Sequence, residues 1–300
     1  MILVGGEALF DLVPRGAGED LAAHPGGGPF NTARSLARLG RPAAYLGRLS
    51  KDRFGRRLEA LLEEDGVALD AVVRTDEPTT LALAEITGDG GAAYRFYERG
   101  TAAPGLTVAD ALEAVPADVE ILHVGSLGLV LEPVASALEA VVERLAGTAL
   151  VVVDPNVRPW VIADPDAYRA RLARVLARAD VVKLSEEDVA WLDPGRSPED
   201  AVRALGPGLG LLTRGPRGAL VVTPSEAVEV PAPAVRVADT IGAGDAFGGG
   251  FLAWWHERGL GRAALADRDA VVEATRFACL VAARTCERPG ADPPRRDELG

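Results

Sequence analysis

Lysine is nearly missing from this 300-residue chain: Lys51 and Lys183 are the two, and every other basic residue is arginine. With abundant alanine and glycine, that bias looks like a GC-rich coding sequence rather than a functional signal. No Lys/Arg-rich block occurs and the formal net charge is −12, which argues against a nucleic-acid backbone as the main partner. The two cysteines, Cys279 and Cys286, sit in one helix-like segment and are expected as buried apolar thiols, not as a disulfide or metal pair. His24, His123 and His256 are scattered, without zinc-ligand spacing. No unbroken apolar stretch is long enough to cross a bilayer. The start, Met1-Ile2-Leu3-Val4-Gly5-Gly6-Glu7, lacks a basic region and has too short an apolar run for a signal peptide. A cytoplasmic protein without membrane contact is the expectation.

What is present is an ordinary globular composition, 48% apolar and 25% charged, in a chain long enough for one large α/β domain or two average ones. Short apolar runs alternate with longer segments of helical period, the pattern of a sheet covered by helices. Strands are expected at 2–5, 43–47, 121–124, 150–154, 181–184, 209–213 and 219–223. Helices are expected at 30–39, 53–65, 133–145, 168–177, 242–257 and 270–285. The long connections suit right-handed crossovers and a mostly parallel sheet. Residues 80–87 and 92–97 break the rhythm: two β-like segments flank Gly88-Asp89-Gly90-Gly91, a hairpin signal. Such an excursion is a lid, a dimer contact or a plain surface hairpin. No repeat or linker divides the chain, so one core domain over 1–300 with a small lid is expected.

The chemistry concentrates in Asp239-Thr240-Ile241-Gly242-Ala243-Gly244-Asp245, which follows a short extended stretch at 235–237 and opens a helix-like segment. Glycines there permit tight backbone geometry, and free N–H groups at a helix N-terminus make an anion site. A phosphoryl group in transfer carries charge that such donors stabilise. Asp245, in the first turn, either takes a proton from an attacking hydroxyl or merely caps the helix. Gly248-Gly249-Gly250 inside the helical pattern costs roughly 0.5–1 kcal/mol per glycine relative to alanine, which implies close packing or ligand access. Other phosphate-binding designs fit poorly. There is no G-x-x-x-x-G-K-[ST], no strand–G-x-G-x-x-G–helix unit, and no protein-kinase signature.

The run from Asp239 to Phe247 resembles the C-terminal signature of the ribokinase-like carbohydrate kinases, the PfkB family. A second signature of that family lies near the start, in Gly26-Gly27-Gly28-Pro29-Phe30-Asn31-Thr32-Ala33, so the resemblance spans essentially the whole chain. It implies a three-layer α/β sandwich with a mostly parallel central sheet and a β lid from about 12–24 and 72–101. It also implies ATP-dependent phosphorylation of a sugar hydroxyl with Asp245 as general base. The anion hole would be made at Gly242-Ala243-Gly244 by the amides of Ala243 and Gly244. It further implies a monovalent cation, K⁺, near Asp239, whose other interpretation is a loop carboxylate in a turn.

For the acceptor, Asp11, Gly27, Gly28 and Asn31 match the family's sugar-binding positions, and Phe96 lies in the segment at the lid's end. Asp11 is otherwise a solvated turn residue, and Asn31 otherwise a helix-start residue. Asp154-Pro155-Asn156-Val157-Arg158-Pro159, at the carboxyl end of an expected strand, resembles bacterial fructokinases and 2-keto-3-deoxygluconate kinases. There Asn156 and Arg158 would face substrate or phosphates, unless Arg158 pairs structurally with Asp154. Glu98 stands where those subfamilies commonly have arginine, which favours a neutral ketohexose over an acid sugar.

On the nucleotide side, Lys183, Ser185 and Asp188 correspond to an element that organises Mg²⁺ through water, although Ser185 also reads as a plain N-cap. Thr213, Gly215 and Gly218 match the nucleotide loop, and Cys279 falls in the adenine-side helix. The implied activity is ATP-dependent fructokinase. Ketodeoxygluconate kinase, a ribose or nucleoside kinase, and a catalytically silent sugar- or nucleotide-binding regulator are the alternatives. A homodimer through the lid is implied by analogy of fold.

Overall fold

The computed structural model describes residues 1–15, 20–86 and 92–300, and the turn expected at 88–91 lies outside them. Its strands are β1 (Ile2–Gly5), β2 (Leu9–Pro14), β3 (Leu21–Gly26), β4 (Ala43–Ser50), β5 (Val72–Thr75), β6 (Leu81–Ile86), β7 (Ala92–Tyr97), β8 (Ile121–Gly125), β9 (Leu150–Asp154), β10 (Val181–Ser185), β11 (Leu209–Thr213), β12 (Ala219–Val222) and β13 (Ala227–Val230). Its α-helices are α1 (Gly28–Arg38), α2 (Arg53–Asp65), α3 (Val108–Ala114), α4 (Val134–Leu145), α5 (Pro165–Leu176), α6 (Glu186–Leu192), α7 (Pro198–Ala204), α8 (Ala243–Glu257) and α9 (Arg268–Cys286).

The large sheet runs β13-β12-β11-β10-β9-β8-β1-β4-β5. Every neighbouring pair from β5 to β11 is parallel, and β12 and β13 close one edge antiparallel. Alternate residues of each strand enter opposite layers. Ile2, Val4 and Val152 pack with α1, α2, α8 and α9, while Leu3, Val151 and Val153 pack with the layer of α3 to α7. Covered on both faces, such strands read as unbroken apolar runs. The expected α/β sandwich with a mostly parallel sheet is what the chain forms.

Two features of packing set the site. Gly249 and Gly250 let α8 lie tightly against its neighbours: a Cβ at Gly249 would fall 2.5 Å from Ser35 Oγ on α1, and one at Gly250 would fall 3.0 Å from Ala278 Cα on α9. Close helix approach therefore accounts for these two glycines. At the end of α2, the buried Asp65 accepts from Arg34 Nε and Arg38 Nε, each at 2.8 Å, and from Arg295 Nη2 at 3.2 Å. Arg38 also reaches Asp292 at 2.6 Å. This network ties α1 to the segment after α9, whose Ala291 abuts Gly242.

The small sheet has the order β3-β2-β6-β7, with β2 parallel to β6 and antiparallel pairing elsewhere. Its membership differs from the expected 12–24 and 72–101. β2 begins at Leu9, and Val72–Thr75 instead pairs with β4 at the edge of the large sheet. The register puts Asp11, His24, Ala82 and Phe96 on one face and Phe10, Pro25, Leu81 and Tyr97 on the other. Phe10 rests on Phe54 of α2, with ring centroids 4.6 Å apart. Among the described residues no helix is long and apolar enough to cross a membrane.

Candidate active site

Helix α8 starts behind Gly242, whose φ of 75° is the left-handed conformation that favours glycine. The segment before it, expected as extended at 235–237, forms no strand. The Ala243 amide donates to the Thr240 carbonyl at 3.2 Å, and the helical ladder begins with Ala246 N to Gly242 O at 2.8 Å. Among the described residues the amides of Gly244 and Asp245 have no backbone carbonyl partner, so they are the open donors at this end of the helix. Of the two amides expected in the anion hole, that of Gly244 is left open, whereas Ala243 spends its amide on the turn.

Asp245 is buried, and Asn31 Nδ2 donates to its Oδ2 at 2.9 Å. Burial pushes its carboxyl up to about 6, against the pull of the Lys183 ammonium and the Asn31 bond. Its Oδ1 lies 3.2 Å from where a Gly28 Cβ would be, and Asn156 Nδ2 lies at the same distance from that point. Asp245, Asn31, Gly28 and Asn156 thus meet at one spot. A carboxyl raised to about 6, with its Oδ1 uncommitted among the described residues, is suited to accept a hydroxyl proton.

Lys183 lies behind this spot. Its Nζ donates to Asp154 Oδ2 at 2.8 Å, both residues are buried, and a Cβ at Gly244 would come within 3.0 Å of it. Burial opposes its charge, but Asp154, with Asp245 and Asp188 nearby, raises its affinity for the proton. Asp154 therefore serves Lys183, not Arg158. The Arg158 guanidinium instead donates to Asn156 Oδ1 at 2.6 Å, and among the described residues it has no carboxylate within salt-bridge distance. Its charge is felt at both Asp245 and Asp11.

Asp11 lies on β2 of the small sheet, correcting the view of it as a turn residue. Burial pushes it up to about 6, with Arg158 pulling the other way. Gly26 makes room for it, since a Cβ there would sit 2.3 Å from Asp11 Oδ2. Phe96 packs at the edge of a small cluster of Leu9, Ala82 and Leu127, beside Tyr94, which the sequence had not singled out. Gly27, with φ 110°, brings the chain so close to the segment after β1 that a Cβ would meet the Glu7 carbonyl at 2.4 Å. The Gly28 amide, expected to face sugar oxygens, donates to Glu7 Oε1 at 3.1 Å. Glu98 is partly exposed, with Arg99 Nε 3.9 Å away.

Asp239 accepts from Ile241 N at 3.1 Å and from Gly290 N at 2.8 Å. It is a loop carboxylate that also clasps the segment after α9. Ser185 and Asp188 form a capping box on α6, and Asp188 further accepts from Val157 N at 2.6 Å. Among the described residues no three His, Cys, Asp or Glu side chains converge to hold a metal ion. Thr213 ends β11, Gly215 opens a 3₁₀ turn with φ 56°, and Gly218, with φ 87°, closes it. Arg217 of that turn bonds Glu186 at 2.6 Å, fixing it to the start of α6. Cys279 is buried on α9, its Sγ 4.0 Å from the Val230 carbonyl.

A family model described as pfkB family carbohydrate kinase matches residues 1–298. The chain belongs to that family. It is accordingly a phosphotransferase acting on a sugar hydroxyl. The chain is 38% identical over 260 residues to a fructokinase of Rhizobium leguminosarum bv. trifolii, a match covering 84% of this chain and 79% of that protein. It is also similar to the crystal structure of fructokinase from Xylella fastidiosa with bound ATP. That match has a TM-score of 0.91 and 31% identity, and covers 99% of this chain and 96% of that one. A fructokinase from Vibrio cholerae, in fructose-, ADP- and calcium-bound form, matches with a TM-score of 0.85 at 29% identity, covering 99% and 97%.

Proposed function

We propose that this carbohydrate kinase transfers the γ-phosphate of ATP to the 6-hydroxyl of D-fructose. The observation that carries the mechanism is the meeting of buried Asp245, Asn31, Gly28 and Asn156 at the N-terminus of α8. The similarity to a fructokinase crystallised with fructose supports the acceptor. Asp245 Oδ1 takes the hydroxyl proton as the oxygen attacks, while Asn31 holds the other carboxyl oxygen. The open amides of Gly244 and Asp245, with the positive end of α8, stabilise charge on the transferred group. Lys183, held charged by Asp154, adds a buried cation behind Gly244. Asp11, Phe96 and Arg158 are assigned to the sugar side, with Arg158 able to turn towards phosphate.

The turn at Thr213, Gly215 and Gly218, together with Ser185 and Asp188, is assigned to the nucleotide, and Cys279 to the helix beside the adenine. Mg²⁺ carried by ATP would neutralise phosphate charge, with Asp188 reaching it through water, and K⁺ would lie beside Asp239 among backbone carbonyls. The Asp188 oxygens already accept from Ser185 and Val157, which fits contact through water better than direct ligation. A cytoplasmic setting, where ATP is supplied, belongs to the same proposal. So does a homodimer joined through the small sheet.

Glu98 favours a neutral acceptor, whereas Arg158, without a carboxylate partner among the described residues, suits 2-keto-3-deoxygluconate as the second acceptor. ADP release over a panel of ketoses, aldoses, sugar acids and nucleosides decides between them. Fructose is expected to give the highest kcat/KM, and a sugar acid or nucleoside turned over faster would overturn the assignment.

A further inference from the structure

Glu7 stands just after β1, 3% exposed, and no step above uses it. Its carboxylate accepts from Gly28 N through Oε1 and from Gly128 N through Oε2, both at 3.1 Å. It thereby joins the loop before α1 to the turn after β8, segments 21 and 121 residues away from it along the chain. Both loops are shaped to admit it. Gly27 lies on the Glu7 carbonyl, and a Cβ at Gly128 would fall 3.1 Å from Gly6 Cα. Ser126, at the start of the turn, has φ 55°, a conformation rare outside glycine, and its hydroxyl also supports the carboxylate.

The far side of this clasp is the acceptor spot. Gly28 faces Asp245 Oδ1 and Asn156 Nδ2, and the Ser126 Cβ lies 3.5 Å from the same point. We propose that Glu7 is a positioning residue for the sugar: its carboxylate fixes the Gly28 and Ser126–Gly128 loops as the wall against which the acceptor hydroxyl meets Asp245. Burial pushes the Glu7 carboxyl up to about 7, and the amides it gathers work to keep it ionised. A carboxylate suits the place because both oxygens must accept, and a glutamine offers one acceptor and one donor.

The inference rests on sugar phosphorylation at Asp245, and its test separates the two. In Glu7→Gln the amide NH₂ must confront either Gly28 N or Gly128 N, leaving a buried donor unmatched. The sugar KM is expected to rise about tenfold, the KM for ATP to stay within about twofold, and kcat to fall less than kcat/KM for the sugar. Amide hydrogen exchange, measured without substrate, is expected to accelerate at Gly28 and Gly128. Val141→Ala, a buried change on α4, supplies the comparison for general destabilisation and is expected to do neither.

An unchanged sugar KM, or equal rises in the sugar and ATP values, overturns the role. If no sugar releases ADP from the unsubstituted protein, the acceptor assignment fails while exchange still decides for or against Glu7. If Glu7→Gln does not fold, the unsubstituted protein is decisive. Slow exchange at Gly28 and Gly128 is expected there, and rates as fast as in an open loop overturn the clasp.

Discussion

Asp245 and Asp11 both have carboxyls pushed up to about 6 by burial, yet they sit on different elements and should leave different marks on a pH profile. A general base works ionised, so kcat/KM should fall as pH drops through about 6. Lys183 holds the Asp245 value down. Lys183→Met is therefore expected to move the acidic limb to higher pH, and the uncovered Asp154 charge moves it the same way. Asp11→Asn should weaken sugar binding and leave a limb from Asp245. A limb that stays put in Lys183→Met, or vanishes in Asp11→Asn, would take the base assignment away from Asp245.

Stability separates chemistry from folding at the same residue. A carboxyl with a raised folded-state value contributes stability that is present at acid pH and lost as pH rises through about 6. Asp245→Asn removes the buried charge, so at pH 7.5 it should melt no lower than the unsubstituted protein. Its kcat should nevertheless fall by about 10²–10⁴-fold. A loss of turnover accompanied by a lower melting temperature would point to a structural carboxylate instead.

At the scale of elements, the three consecutive glycines of α8, Gly248 to Gly250, are not equivalent. Gly249 is pressed on Ser35 and Gly250 on Ala278, but a Cβ at Gly248 would meet nothing nearer than His123 Nε2 at 3.7 Å. Gly249→Ala must push α1, and with it Asn31, away from Asp245. A loss of about 1–3 kcal/mol and a drop in kcat/KM are expected. Gly248→Ala makes ordinary contact and gains helix propensity, so it should be neutral or stabilising by up to about 1 kcal/mol. Chemical denaturation of the two variants, with assays at saturating ATP, checks both. Equal effects would mean that helix approach does not explain the run.

These glycines also mark what could be read in advance. Their cost inside a helix announced a packing demand without saying which one met which neighbour. β1, β9 and β11 match the expected 2–5, 150–154 and 209–213, because strands covered on both faces read as apolar runs with sharp ends. β2 and β3 were foreseen only as the lid segment at about 12–24 that the resemblance implied, not as strands from the residues themselves: each contains a proline, Pro14 and Pro25. The helices α3, α6 and α7 have seven residues each, too few for a period to declare itself. Asp245, Asn31 and the glycines of both loops were legible from local motifs. Glu7 and the Lys183–Asp154 pair were not, because their partners lie 21 to 121 residues away and only the fold brings them together.

For the whole molecule, the small sheet poses the next question, since one face carries Asp11 and the other carries apolar side chains beside the exposed Arg95–Glu85 ion pair. Leu12 and Leu83 lie opposite one another on that outer face, with Leu21 at 47% and Tyr97 at 50% exposure. A second copy of the chain meeting this face would cover it by a self-complementary contact, the commonest route to a dimer. Because β2 carries Asp11 inside and Leu12 outside, the contact would also steady the sugar's wall. Leu21→Glu/Tyr97→Glu should shift the sedimenting species from dimer to monomer at micromolar concentration. The same variant should raise the fructose KM more than the ATP KM, since the turn at 213–218, proposed above for the nucleotide, lies on the large sheet. If the unsubstituted protein sediments as a monomer with full activity, the outer face is no dimer contact, and Asp11 is held by the packing of Phe10 on Phe54 alone.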